Sequence, residues 1–358
     1  MNEVFETVKF SDIDINDSFF DSLKSDYDGF NQWFKKKQMI GALAYTLKID
    51  GNLSAFLYLK DGEKEAIPLN NKMLPLTSRI KIGTFKIDEK IGGKRLGEGA
   101  IGLALWHWFR ENESEIYVTT FSKQKSLINL FEKFGFTIVG EKADDGELVL
   151  VKDKNNLDFS DPYKSFPYIN PNFNYAGILT VDAQYHDQLF PYSELQGTKF
   201  KHEVITDIAG NGITKMYVSG AYSGGYSEGE PILIYRKSSG TNRGYKSVVT
   251  SIGTVTSCIN VKSNGTLLMD VASVKEILGN KSVLSDIDLL SLMDKDNVSI
   301  YKIIYNHYLG TGNNINWHTL HDNGMWEDYP TSIHYSNEQF KNFVRDFLKN
   351  DMIKLLDR

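Results

Sequence analysis

The stretch "DEKIGGKRLGEGAIGLALWHWF" (88–109) sets two glycines, a Lys-Arg pair and two more glycines directly before a run that turns apolar. Upstream, "RIKIGTFKID" (79–88) reads as a strand; downstream, Ile101, Leu105, Trp108 and Phe109 have the spacing of a helix with one buried face. A strand ending at Ile87-Asp88, a loop with Gly92 and Gly93 and a helix opening at Gly97 expose backbone N–H groups at the positive end of a helix dipole. Such an end accepts an anion, and glycines let a phosphate come close to the backbone. Lys94 and Arg95 add two cations, which makes a pyrophosphate the expected guest; a plain strand-to-helix turn is the alternative reading of the same glycines.

Before this stretch, "GALAYTLKI" (41–49) and "LSAFLYLKD" (53–61) flank Asp50-Gly51-Asn52 and predict a hairpin. After it come a strand, "EIYVTTF" (115–121), a helix, "KSLINLFEKF" (125–134), a glycine stop at Gly135 and the strand "FTIVGE". A hairpin followed by β-α-β-α-β predicts a mixed α/β domain over residues 1–152. Residues 153–174, with Pro162, Pro167 and Pro171 among many Asn and Asp, read as a linker. From 175 to 358 the chain is rich in Tyr, Gly and short β-like runs, with helices expected at "VASVKEIL" and "NEQFKNFVRDFLKNDMIKLL"; this pattern predicts a small β-barrel with helical decoration.

The segment 85–136 resembles the GNAT acetyltransferase superfamily, in which the fourth strand leads into a pyrophosphate loop of the form Gln/Arg-x-x-Gly-x-Gly/Ala. The preferred register reads the loop as "GGKRLG", with Gly92, Arg95 and Gly97 in the three defined places; a shift by two gives "KRLGEG", with Lys94, Gly97 and Gly99 there. A second family pattern, Asn-x-x-Ala-x-x-x-Tyr-Glu-Lys-x-Gly-Phe, is met by "QKSLINLFEKFGF" with Gln124, Leu127 and Phe131 as departures and an intact Glu-Lys-Phe-Gly-Phe. The resemblance implies acetyl-CoA as cofactor, with its pantetheine arm against Phe85, Lys86 and Ile87. It further implies a pyrophosphate site over Gly92, Gly93, Lys94, Arg95, Leu96, Gly97 and Glu98, with Gln124 and Phe131 lining the cofactor.

In the family, the tyrosine that falls at Phe131 protonates the departing thiolate, which a phenylalanine cannot do. Ser122 and Thr120, at the end of the fifth strand, are the nearest replacements. Asp88 and Glu89, just past the fourth strand, are placed to act as general base toward an amine. Solvated loop carboxylates are the plainer reading of both, and Glu98 reads as a complement to the helix dipole.

Within the C-terminal part, "GEPILIYRKSSGTNRGYKSVVTSIGTVTSC" (229–258) resembles the PUA-like barrels, the grouping that includes ASCH and EVE domains. That resemblance implies an RNA or nucleotide-bearing ligand, with Arg236, Arg243 and Lys246 for phosphates and Tyr222, Tyr226 and Tyr245 for stacking. Packing tyrosines on barrel strands are the alternative. The ASCH signature itself has only a poor imitation, "GTKFKHEV" (197–204).

Composition bounds the remainder. A net charge of −6 over 358 residues argues against a protein coated in positive charge for nonspecific nucleic-acid binding. Hydrophobic residues at 41% and charged residues at 24% are ordinary for a globular chain, and no apolar stretch is long enough to cross a bilayer. The acidic N-terminus lacks a secretory pattern, so a cytoplasmic location is expected. Cys258, the one cysteine, permits no intrachain disulfide. His318 and His321 in "NWHTLHD", with Asp322 beside them, could share a metal if they lay on one helix face, but the surrounding Asn, Gly and Trp make loop histidines the expectation, and no metal is expected. Together these readings predict an acetyl-CoA-dependent N-acetyltransferase whose second domain positions an RNA or nucleotide-bearing substrate. The alternatives are a non-catalytic CoA- or nucleic-acid-binding regulator, and an acetyltransferase of a protein or small amine.

Overall fold

The computed structural model describes residues 5–88, 90–193, 208–220, 225–238, 243–310, 312–326, 333–348, 352 and 354–356. They divide into two compact units, one running through Asp158 and the other starting at Phe159.

The first unit is built on a seven-stranded sheet. Its strands are β1 (Glu6–Lys9), β2 (Leu43–Ile49), β3 (Asn52–Pro68), β4 (Met73–Ile87), β5 (Glu115–Thr120), β6 (Thr137–Glu141) and β7 (Leu148–Asp153), in the order β1-β2-β3-β4-β5-β7-β6. The predicted hairpin is β2–β3, where Asp50 and Gly51 both take positive φ (49° and 83°), as a tight turn between twisted strands requires. The ladder β4–β5 is parallel and the other strand pairs of this sheet are antiparallel. Four helices accompany the sheet: α1 (Asp21–Asp26), α2 (Phe30–Met39), α3 (Leu96–Arg110) and α4 (Lys125–Lys133).

Helix α3 departs from the one-faced helix expected of it. Eleven of its residues are buried, among them Ile101, Leu105, Trp106, Trp108 and Phe109. It packs on β3, β4 and α4, so an apolar surface nearly all round is what its position demands. Helix α4 ends as predicted: Gly135 takes φ 82° and the Phe136 N–H donates to the Phe131 carbonyl at 3.1 Å. Two lysines of β7 and its extension hold the helix ends. Lys152 Nζ donates to the Phe134 carbonyl and Lys154 Nζ to the Glu111 carbonyl, both at 2.7 Å, at the C-terminal ends of α4 and α3; burial pushes the Lys152 ammonium well below its ordinary range. Beyond the sheet, α1, α2 and the segment before them bring Phe10, Phe19, Phe20, Phe30 and Phe34 against Phe56 and Tyr58 of β3, a second, aromatic core.

The second unit begins inside the stretch read as a linker. Phe166, Tyr168 and Ile169 are buried there, and the Ile169 N–H donates to the Leu355 carbonyl at 2.9 Å. Its elements run α5 (Pro162–Ser165), β8 (Tyr175–Asp182), α6 (Ala183–Leu189), α7 (Ile208–Asn211), β9 (Thr214–Ser219), β10 (Pro231–Lys237), α8 (Arg243–Lys246) and β11 (Val248–Ser263). After these come β12 (Thr266–Leu267), α9 (Val271–Leu278), α10 (Asp286–Met293), β13 (Val298–Tyr308), β14 (Ile315–Asn316), α11 (Trp317–Asp322), β15 (His334–Ser336) and α12 (Asn337–Phe347). The main pairing path is β15-β8-β10-β11-β13-β9, with β8–β10 parallel and β12 and β14 paired to β11.

The expected barrel is not closed: among the described residues no ladder joins β9 to β15 or β8. The reason lies on the outer edge of β8. β15 pairs with it only over Tyr175–Gly177. Beyond that, the Tyr226 hydroxyl donates to the Ile178 carbonyl at 2.6 Å and the Tyr217 hydroxyl, from β9, to the Thr180 carbonyl at 3.2 Å. Side chains take the place of a strand ladder. The Tyr226 ring lies over Gly177 so closely that a Cβ there would be 2.1 Å from Cε1.

Candidate active site

The parallel ladder between β4 and β5 covers only Arg79–Ile82 against Glu115–Val118. From there the strands diverge: β4 runs on to Ile87 with β3, while β5 runs to Thr120 with β7. Gly83 causes the parting. Tyr58 of β3 faces Thr84 and Leu59 faces Ile82, so Gly83 is the extra residue of a bulge, which bends its strand. A Cβ at Gly83 would lie 2.9 Å from Tyr58 Cδ1, so glycine is also what lets the two strands approach there.

Between the arms lies a cavity of about 480 Å³. Ile82 to Phe85 line it from β4, and Val118 to Thr120 from β5. Its other walls come from Tyr27, Phe30 and Trp33 of the N-terminal helical segment, Tyr58 and Glu63 of β3, and Glu147 at the start of β7.

Past the fork, β4 delivers the chain to the glycine loop. The Asp88 N–H donates to the Ser54 carbonyl at 2.9 Å, and Asp88 Oδ1 accepts the Lys90 N–H at 3.0 Å. Gly92 and Gly93 stand in open space, and Gly93 takes φ 80°. Arg95, the residue capping α3, takes φ 57° and makes no side-chain bond to the amides of the helix's first turn. Its guanidinium turns onto Glu98, with Nη2 2.7 Å from Oε2. The residues thus fit an anionic group in two respects: the loop has room where side chains would stand, and the capping side chain does not fill the helix end. They depart from the expectation in a third, since Arg95 is held by Glu98 and both are largely buried. Gly97 serves packing as well: a Cβ there would lie 3.2 Å from Leu130 Cδ2 of α4.

Of the residues singled out in the sequence, Phe85 and Thr120 line the cavity. Phe131 is 0% exposed, with its ring 5.3 Å from Phe85 and 4.9 Å from Phe136, so it backs the cavity wall. Lys86 Nζ bonds Ser22 Oγ and lies 5.4 Å from the Phe19 ring; Leu96 is buried; Gln124 is the residue capping α4. Neither Asp88 nor Ser122 is among the residues lining the cavity: the first closes the loop turn and the second is exposed in the turn after β5. Glu89 lies outside the described residues.

Sequence reasoning passed over the charged and aromatic wall. Glu147 is 5% exposed and accepts from the Tyr27 hydroxyl at 3.0 Å. Burial, and next to it the Glu147 carboxylate, push the Tyr27 hydroxyl well above its usual range, so it stays a donor at neutral pH. Lys37 Nζ sits 4.9 Å from the Tyr58 ring centroid and 5.9 Å from that of Trp33. Phe20, Leu23, Tyr27, Phe30 and Phe34 stand at helical spacing in the sequence, a signal that was available. Glu147 carries none, since "ADDGE" reads as any polar turn.

In the second unit, Arg236 of β10 is held by Asp187, with Nε to Oδ1 and Nη2 to Oδ2 both at 2.7 Å. Burial works to raise the Asp187 carboxyl, but the bonds from Arg236 and from His186 outweigh it and hold it at about 2. Tyr226 is buried on Gly177, and Tyr222 and the "GTKFKHEV" stretch lie outside the described residues. Arg243, Tyr245 and Lys246 are exposed on the single turn α8, and the Tyr245 ring, 68% exposed, lies 4.7 Å from that of His318. His318 and His321 stand on the short helix α11 rather than in a loop, and the His321 ring packs on Trp317. Among the described residues no group of His, Cys, Asp or Glu is arranged to hold a metal, and no helix is long and apolar enough to cross a membrane.

No family model matches the chain, and no curated protein does. Solved structures do. A GNAT-family acetyltransferase from Streptococcus agalactiae is 17% identical over 38% of this chain and 79% of its own, with a TM-score of 0.31. An N-acetyltransferase from Staphylococcus aureus is 13% identical over 43% and 99%, with a TM-score of 0.32. An IAA acetyltransferase from Bacillus cereus is 19% identical over 42% and 98%, with a TM-score of 0.30.

Proposed function

We propose that the first unit binds an acyl-CoA, acetyl-CoA in the simplest case, and transfers its acyl group to an amine by direct attack. The observation that carries this reading is the fork: a parallel strand pair that parts at a glycine bulge, with a cavity between its arms, and whose β4 arm leads straight into a glycine loop and the start of α3. Acetyl-CoA supplies a thioester carbonyl already activated toward nitrogen. The chain's own work is to hold that group along Phe85 to Ile87, to receive a pyrophosphate on the amides from Gly92 to Glu98, and to keep water out with the rings of Phe30, Trp33 and Tyr58. Of the two hydroxyls considered for the departing sulfur, Thr120 lines the cavity and Ser122 does not, so Thr120 takes that part.

Calorimetry with acetyl-CoA tests the reading on wild type and Gly92→Glu. Gly92 has open space for a side chain and no left-handed backbone, so the variant keeps the fold and adds bulk and negative charge to the loop alone. Micromolar binding in wild type, weakened at least tenfold in the variant, is expected; no binding by wild type overturns the reading. A second reading, in which the second unit takes an RNA or nucleotide-bearing substrate, rests on Arg243, Tyr245 and Lys246 standing exposed together. Retention on RNA that falls steeply with salt and is lost in Arg243→Ala/Lys246→Ala supports it; salt-independent retention or none refutes it.

A further inference from the structure

Resting on that reading, we infer that Glu147 takes the proton from the acceptor nitrogen, that Tyr27 positions it, and that the acceptor is a primary amine carried on a flat apolar body. A general base must reach the nitrogen that attacks, so it has to stand on the wall of the cavity that the fork opens. Three described carboxylates line that cavity: Asp28, Glu63 and Glu147. Asp28 is exposed, and Glu63 is paired with Lys60. Glu147 is buried and held from two directions. Tyr27 donates to Oε1 at 3.0 Å, and Lys142 Nζ stands 3.6 Å from Oε2.

Its backbone is pinned as well. The Glu147 N–H donates to Asp145 Oδ1 at 3.1 Å and its carbonyl accepts the Lys142 N–H at 2.8 Å, across a turn in which Gly146 takes φ 75°. A carboxylate fixed in this way loses little freedom when a substrate arrives. The same cavity has the rings of Phe30, Trp33 and Tyr58, and two of them already carry the Lys37 ammonium. An ammonium at Glu147 with an apolar body against those rings satisfies both features.

In the step, the bound ammonium first gives one proton to a Glu147 oxygen, which passes it to solvent. The freed lone pair forms the C–N bond and the C–S bond breaks with its electrons leaving on sulfur. The second proton of the nitrogen goes to Glu147 and on to solvent, and the sulfur takes one proton from solvent through the Thr120 hydroxyl, which regains the proton it gives. Ammonium and thioester thus become amide, thiol and one proton released to solvent.

Tryptamine is the probe. Calorimetry reads acetyl-CoA binding and, separately, tryptamine binding to the protein; thiol release reads turnover. Glu147→Gln is expected to leave the acetyl-CoA Kd within about twofold, weaken tryptamine binding about tenfold and lower kcat about 100-fold, the scale of a lost general base. Glu147→Ala should regain rate with added formate, which a merely structural role would not allow. Tyr27→Phe should lower kcat about tenfold with little change in KM. Wild type that binds acetyl-CoA but neither binds nor acetylates tryptamine overturns the inference, as does Glu147→Gln with wild-type kcat. Wild type that fails to bind acetyl-CoA removes instead the reading on which the inference rests.

Discussion

Each unit contains a strand that loses its neighbour partway, and the two losses are made good differently. In the first, β4 leaves β5 after Ile82, and the space that opens is a cavity of about 480 Å³. In the second, β8 leaves β15 after Gly177, and the hydroxyls of Tyr226 and Tyr217 close on its carbonyls. Both partings turn on a glycine beneath a tyrosine ring: Gly83 under Tyr58, and Gly177 under Tyr226. A strand edge needs partners for its backbone groups. Where the chain supplies them the edge is structural; where it leaves room, a ligand's backbone-like amides can supply them.

The sharpest way to break the comparison is Gly177→Ala. The new Cβ falls 2.1 Å from the Tyr226 ring, which is itself buried and has nowhere to go. The ring must leave, and with it the bond to Ile178; a loss of about 3 kcal/mol is expected in urea unfolding of the second unit. A loss near zero would mean that the seal contributes nothing.

Next in size is the acid stability of that unit. Asp187 at about 2 lies below the ordinary carboxylate value of 3.8, so its contribution is full above pH 4 and is lost as pH falls toward 2, a change of about 2 kcal/mol. Burial also lowers His186, against the pull of Asp187, so protonating it on unfolding removes further stability as pH drops below 6.5. Arg236→Met should flatten the part below pH 4 and leave any RNA retention unchanged, because its guanidinium is committed to Asp187. Retention lost in that variant would contradict the structural assignment.

Smallest is Gly83→Ala. Its Cβ would meet Tyr58 at 2.9 Å, but Tyr58 borders the cavity and can yield into it, so about 1 kcal/mol is expected from thermal melts. The displaced ring should weaken acetyl-CoA binding more than it weakens the fold. Equal effects at Gly83 and Gly177 would erase the distinction between an open and a sealed edge.

Much of the first unit was legible. The Asp50-Gly51 turn, the glycine loop before α3 and the Gly135 stop each follow from backbone chemistry within a few residues, and all three appear where they were read. Helices α1 and α2 were missed although aromatic spacing announced them, and β7 was missed because "LVLVKD" shows little alternation: Val149 to Lys152 are all buried. In the second unit, the strands "PILIYRK" and "VSIYKIIYNHY" were legible from composition, but barrel closure was not. Closure depends on whether the ends of a pairing path meet, which no local pattern encodes.

Sequence alone determined the order strand, glycine loop, helix, because turn glycines and helix ends are properties of adjacent residues. Tertiary structure alone decided which carboxylates line the fork and which of them is buried there. Asp88, next to the strand end, is spent on its own turn, while Glu147, 120 residues from its partner Tyr27, stands in the cavity wall. Side chains that far apart in the chain meet only once β7 and the N-terminal helices have packed on the same sheet. A site built across such distances is a product of packing: the spacing of Tyr27 and Phe30 marks a helix, but nothing in the sequence marks Glu147 as their partner.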